Sequence, residues 1–129
     1  MSQTYKGAFV VVNQTNSDLS NVSVQFVSKL GVAVSSAATL SRDANDTIFE
    51  LPPVSLEGSS DNTDNWKLSF ITQGADATPV EVFLGNVNCD FTAENEGGVV
   101  RVQLYQSSFD IIMPVKGSKQ GVKYEGIPG

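Results

Sequence analysis

The chain has no histidine and a single cysteine, Cys89. The first absence removes Ser–His–Asp and Cys–His nucleophilic catalysis, imidazole general bases and the common zinc sites together. The second rules out an intrachain disulfide. Basic residues are also scarce, eight against fourteen acidic ones, for a net charge of −6. Such a chain lacks the concentrated positive field that nucleic acid or an anionic lipid surface requires, so nucleic acid is excluded as a partner. No apolar run approaches the length of a membrane span. The start, MSQTYKGAFVVVNQ, has one lysine and a short apolar stretch with no small-residue cleavage pattern behind it. The expected location is therefore the cytoplasm, or release by a non-classical route.

What the 129 residues do contain is alternation. Apolar and polar residues exchange with period two through most of the chain, the pattern of half-buried strands. Val22, Val24 and Phe26 form one inward set, and Trp66, Leu68 and Phe70 another. Val80, Val82 and Leu84 give way to Val87, Cys89 and Phe91, a change of phase that predicts a bulge near Gly85. Val100, Val102 and Leu104, then Phe109, Ile111 and Met113, complete the inward list, and Pro114 marks an end. The pattern predicts strands near 7–14, 20–28, 31–40, 46–51, 65–73, 79–91, 97–105 and 108–115. Between them lie Asn, Asp, Ser, Gly and Pro clusters with turn chemistry. Eight short strands with no helical segment indicate an all-β fold, a single-domain antiparallel β-sandwich over 1–115. Residues 116–129 read as a C-terminal tail. Strict up-and-down alternation would bring the connections at 52–64 and 92–96 and the segment after 115 to one end, and those at 15–19, 41–45, 74–78 and 106–107 to the other.

Several residues are candidates for chemistry. Asp61, Thr63 and Asn65 place oxygens at alternate positions, as a calcium loop does, but Trp66 stands where that loop needs glycine and Thr72 where it needs glutamate. Asp43, Asn45 and Thr47 fail in the same two places. No metal and no cofactor is expected, although a site assembled between loops, for instance from Asp61 and Asp64 with Glu94 and Glu96, is compatible with the strand alternation. Trp66 is in phase with the core, with a stacking platform framed by Asp64 and Asn65 as the alternative. Cys89 falls on an inward position with no basic neighbour, so it reads as a small apolar residue and not as a nucleophile. The sequons at Asn13, Asn21 and Asn45 matter only in a glycosylating compartment. A glycosidase would need two carboxyls across a cleft, and nothing in the sequence raises one carboxyl's pKa. An enzyme is not expected.

The outward set Arg101, Gln103 and Tyr105 offers a guanidinium, an amide and a phenol in one row, with neighbours about 7 Å apart. Asn21, Ser23 and Gln25 form a second outward set. Groups of this kind recognise hydroxyl-rich or headgroup ligands; they also furnish ordinary hydrated faces.

The opening FVVVNQTNSDLSNVSVQF has a strand ending in Val-Asn, a polar turn and a second amphipathic strand. Over its first 28 residues the chain thereby resembles aegerolysin-type proteins, a family that is tryptophan-rich in its second half, where Trp66 here is alone. The resemblance implies an acidic β-sandwich that binds membrane lipid, works with a partner protein and serves as a toxin component; it assigns no site residue. The expected function is non-catalytic, lectin-like recognition of a glycan or lipid headgroup. Its candidate residues are Arg101, Gln103, Tyr105, Trp66, Asp64 and Asn65. The other reading is a structural subunit that forms a homo-oligomer through an exposed edge strand, for which FDIIMPV is apolar enough.

Overall fold

The computed structural model describes residues 5–15, 17–28, 31–41, 50–51, 53–58, 64–73, 79–89, 91–105, 108–115 and 118–123. Among them are nine strands: β1 (Tyr5–Asn13), β2 (Leu19–Ser28), β3 (Gly31–Leu40), β4 (Val54–Gly58), β5 (Asn65–Gln73), β6 (Pro79–Asn88), β7 (Val99–Leu104), β8 (Ser108–Ile112) and β9 (Lys119–Lys123). One 3-10 turn, Ala93–Asn95, lies between β6 and β7. The strands form two packed sheets, ordered β4-β1-β7-β8-β9 and β3-β2-β5-β6. This is the expected all-β sandwich. All pairings are antiparallel except β1 with β7, which run parallel with Ala8 opposite Val99.

Period-two alternation decides which side chains enter the core. Val22, Val24, Phe26, Leu68, Phe70, Val100, Val102, Leu104, Phe109, Ile111 and Met113 are all buried, as predicted. The bulge also falls where the phase changed: β5 passes from Trp66 to Leu68 while β6 passes from Val87 to Leu84. β1 departs from alternation because Phe9, Val10, Val11 and Val12 are all buried. A strand buried on both faces reads as an unbroken apolar run, and this one does.

Trp66 sits where the two sheets meet. Its ring is 1% exposed. It packs edge-on against Phe26, its cross-strand neighbour, at 4.8 Å and against Phe9 of the other sheet at 5.2 Å. Its Nε1–H donates to the Cys89 carbonyl at 3.2 Å, so the one polar atom of the indole is satisfied. Nearby, Phe91 lies against two glycines of the first sheet, its ring over Gly7 and its Cβ over Gly58. A Cβ on Gly7 would come within 2.5 Å of that ring, and one on Gly58 within 2.7 Å of the Phe91 Cβ, so both positions need glycine for close approach.

The ends of the sandwich follow strand alternation. At one end Asp64 meets Asn88, Cys89 and Phe91, and the Asn95 side chain accepts the Val115 N–H at 3.0 Å. At the other end Asn13 is fully buried. Its Nδ2 donates to the carbonyls of Ser17 (2.8 Å) and Leu40 (3.0 Å), while its Oδ1 accepts from the Thr15 N–H and hydroxyl. The Asn13 sequon is therefore an Asx turn that ties β1 to the end of β3. Asn21 is exposed, and Asn45 lies outside the described residues.

Four expectations are corrected. The segment read as the loop 52–64 contains β4, which pairs with β1; of the strand expected at 46–51, residues 46–49 lie outside the described residues, and Glu50 makes an isolated bridge to Val12. β6 stops at Asn88, short of the expected residue 91, although the Cys89 N–H still donates to the Asp64 carbonyl opposite it. Part of the segment read as a tail is β9, paired with β8, so the sandwich extends past residue 115. That pairing also makes β8, the FDIIMPV strand, an inner strand between β7 and β9 and not an edge.

Two outcomes are expected. Trp66→Ala should cost about 3–5 kcal/mol in denaturant unfolding, because the cavity opens where both sheets meet. Asn13→Ala should cost about 1–3 kcal/mol for each carbonyl left unsatisfied. Asn13→Asp should fare no better, since it retains the acceptor but loses both donated bonds.

Candidate functional site

The six residues proposed as ligand contacts fall in three places. Trp66 is in the core, which leaves no ring face for a ligand. Asp64 is also fully buried: its Oδ2 accepts the Phe91 N–H at 3.1 Å, and its carbonyl accepts from Cys89 N–H and Asn88 Nδ2. Both are structural, and both are withdrawn as ligand contacts. Asn65 is half-buried on β5, in the other sheet from the Arg101 row. Asn21, Ser23 and Gln25 belong to that other sheet as well, on β2. Only Arg101, Gln103 and Tyr105 remain together, half-buried on or just beyond β7 with side chains opposite the core set.

Sheet register adds what surrounds this row. Val10 and Val12 of β1 stand opposite Arg101 and Gln103; on the other side, Ile112 and Asp110 of β8 do so. Beyond β8, the β8–β9 register slips by one residue, with Phe109 opposite Val122 and Ile111 opposite Lys119. Gly121 takes a left-handed conformation there (φ 68°), which glycine tolerates, and its N–H donates to Asp110 Oδ1 at 2.8 Å. On the β1 side, Glu50 is carried alongside by its bridge to Val12 and reaches Arg101, with Oε2 and Nη2 3.7 Å apart. That pair is long and about two-fifths exposed on each partner, so it contributes about 0–1 kcal/mol and exchanges readily for other partners.

The Tyr105 hydroxyl donates to Gln103 Oε1 at 2.7 Å. Partial burial, and next the nearby Asp110 carboxylate, raise the phenol above its ordinary pKa, because both disfavour a phenolate. The hydroxyl has one proton, while Gln103 Oε1 and Asp110 are both acceptors beside it. With Glu50 the row holds one cation against two carboxylates, beside an amide and a phenol, so its net charge is negative. Such a face suits a ligand that brings hydroxyl or amine donors, and it suits a phosphate poorly.

Sequence reasoning missed Asp110 and Glu50. Alternation between Phe109 and Ile111 already points Asp110 outward, but only cross-strand register puts it opposite Gln103. Nothing local connects Glu50 to Arg101.

The acids considered for a metal do not converge among the described residues. Glu94 and Glu96 are exposed, Asp64 is buried under Phe91, and Asp61 lies outside the described residues. No group of three potential ligands forms among those described. Cys89 is buried, in keeping with its inward position. Compared with known proteins, the chain matches no family model and no curated protein.

The Tyr105 environment can be read by titration. Asp110→Asn should lower its pKa toward the ordinary value of roughly 10 without reaching it, since burial, the larger cause, remains. In the parent, whatever stability Tyr105 supplies as a neutral phenol is present below pH 10 and lost as pH rises through its raised pKa. Phenolate absorbance across an alkaline titration of the parent, Asp110→Asn and Tyr105→Phe checks the shift and its assignment.

Proposed function

We propose that the protein is a non-catalytic binding module whose β7 row, Arg101, Gln103 and Tyr105 with Asp110 and Glu50, recognises the hydroxyls of a glycan, free or as the headgroup of a glycolipid. The observation that carries this reading is a row of two carboxylates, an amide and a phenol around a single cation, on a face held by three paired strands. A sugar ring brings several hydroxyls, and Asp110, Glu50 and Gln103 Oε1 can each accept one. Arg101 supplies the donors for a ring or glycosidic oxygen, and the Tyr105 ring supplies a surface beside them. Placement on strands keeps the groups in position before a ligand arrives, which limits the ordering cost of binding.

The absence of histidine supports a non-enzymatic role, because it leaves carboxylates as the only ready acid–base groups. Of the two ligand classes the sequence suggested, the balance of one cation to two carboxylates favours the polyol over a phosphate headgroup.

A glycan array followed by calorimetry tests the reading. The parent should bind a neutral or amino sugar, and Arg101→Ala with Asp110→Asn should weaken that binding at least about tenfold, the loss of roughly 1.4 kcal/mol. Both sites are partly exposed, so melting should shift little. Unchanged affinity in the double variant would remove this face from consideration.

A further inference from the structure

The β7 row is electrically uneven along its length. At one end Arg101 has Glu50 beside it, with Nη2 and Oε2 3.7 Å apart, so the two charges largely cancel. At the other end stand Gln103, Tyr105 and Asp110, and the one formal charge among them is the Asp110 carboxylate.

Register builds this second end as a corner. Asp110 is directly opposite Gln103, which places their Cβ atoms about 5 Å apart. On the next rung the Tyr105 N–H donates to the Ser108 carbonyl at 2.8 Å. Tyr105 is therefore the diagonal neighbour of Asp110, within reach of a side chain of its length. Its hydroxyl donates to Gln103 Oε1 at 2.7 Å, and burial first, the Asp110 carboxylate second, raise its pKa. Three oxygen-bearing side chains thus converge on one patch.

The charge of Asp110 is held but not neutralised. Its Oδ1 accepts the Gly121 N–H at 2.8 Å, which fixes the carboxylate against β9. On β9 itself, Lys123 stands opposite Ser108 and Lys119 opposite Ile111. Both lysines are exposed, and neither forms an ion pair with Asp110 among the described residues.

We infer that this corner seats a primary ammonium, so that the sugar selected by the β7 row is one with a free amino group. The inference rests on the glycan reading and sharpens it. An ammonium carries a positive charge, three donors and no acceptor, so it can give one proton to each of Asp110, Gln103 Oε1 and the Tyr105 oxygen. A sugar hydroxyl in the same place has one proton and no charge. Charge-assisted hydrogen bonds are roughly twice as strong as neutral ones, and the net charge of −6 adds attraction at longer range. The remaining ring hydroxyls then extend along the row toward Arg101, about 7 Å from Gln103. N-acetylation destroys the match, because it removes the charge and leaves a single donor. An acidic sugar is disfavoured, since its carboxylate would face Asp110.

Calorimetry with a glucosamine trisaccharide and its N-acetylated counterpart, at about pH 6 where the amine is protonated, tests the inference. The parent should bind the amine form at least about tenfold more tightly. Asp110→Asn keeps an acceptor for Gly121 but loses the charge, and should bring that ratio below about threefold. Glu81→Gln removes the same charge from an exposed position on β6, in the other sheet, and should leave the ratio unchanged. Circular dichroism checks each fold; should Asp110→Asn lose its β-sheet spectrum, Gln103→Leu must lower the ratio at least about threefold. A parent ratio short of tenfold, a ratio that survives in the deciding variant, or one that Glu81→Gln lowers as far as Asp110→Asn does would each overturn the proposal. Failure of the glycan reading looks different: the parent then binds no sugar at all. A neutral glycan bound with no gain from a free amine overturns the ammonium seat alone.

Discussion

The sandwich depends on one indole. Trp66 belongs to β5, touches Phe26 in its own sheet and Phe9 in the other, and donates its only hydrogen to the connection leaving β6. Burying about 200 Å² of ring at about 25 cal/mol per Å² corresponds to roughly 5 kcal/mol as an upper bound. Few other residues could do this. Leucine would fill much of the volume but would leave the Cys89 carbonyl unsatisfied, and tyrosine would aim its polar atom elsewhere. The bonds around Asp64 then follow from the same junction. The Cys89 N–H, whose carbonyl takes the indole proton, is itself held by the Asp64 carbonyl, and the Asp64 carboxylate holds Phe91 over Gly7 and Gly58. Burial and hydrogen bonding meet at a single peptide.

The same junction explains why the acid-rich stretch before the tryptophan attracts a functional reading and does not support one. Asp64 and Trp66 are adjacent polar and aromatic groups, the combination expected beside a sugar. Alternation had already placed Trp66 inward, in phase with Leu68 and Phe70, and the structure agrees. For Asp64 no such signal exists. A carboxylate spent on a backbone N–H 27 residues away has the same local sequence as one spent on a ligand.

Much of the fold was legible because its core is a two-face problem. Inward residues could be chosen wherever hydrophobic and polar residues alternated, and the bulge announced itself as a break in phase. The errors came where alternation is uninformative. β4 holds Pro52 and Pro53 just before it and reads as a loop, yet it is an edge strand, the place where flanking prolines are tolerated. β9 is nearly all polar and is specified by pairing with β8, with Gly121 absorbing the slip. Of the candidate site, the row on β7 was readable from parity alone. Its neighbours Asp110 and Glu50 were not, because they arrive through register with β8 and through a bridge to β1. The edge reading of FDIIMPV failed for a related reason: an apolar strand belongs between others, and β8 lies between β7 and β9.

The parallel pairing of β1 with β7 has a temporal meaning. Strands β2, β3, β5 and β6 all lie between residues 19 and 88, so one sheet is complete in a chain that has not yet acquired its last third. The other sheet has its first strand at the beginning and its neighbour at Val99, on the far side of that finished sheet. At a synthesis rate of about 5–20 residues per second, the interval between the two is on the order of 5–20 s. Throughout it Phe9 to Val12, part of the longest unbroken apolar run among the described strands, has been made but lacks the partner that will cover its inner edge. Order along the ribosome and order in the sandwich run against each other, and β1, which precedes the other described strands, is among the last of them to be enclosed.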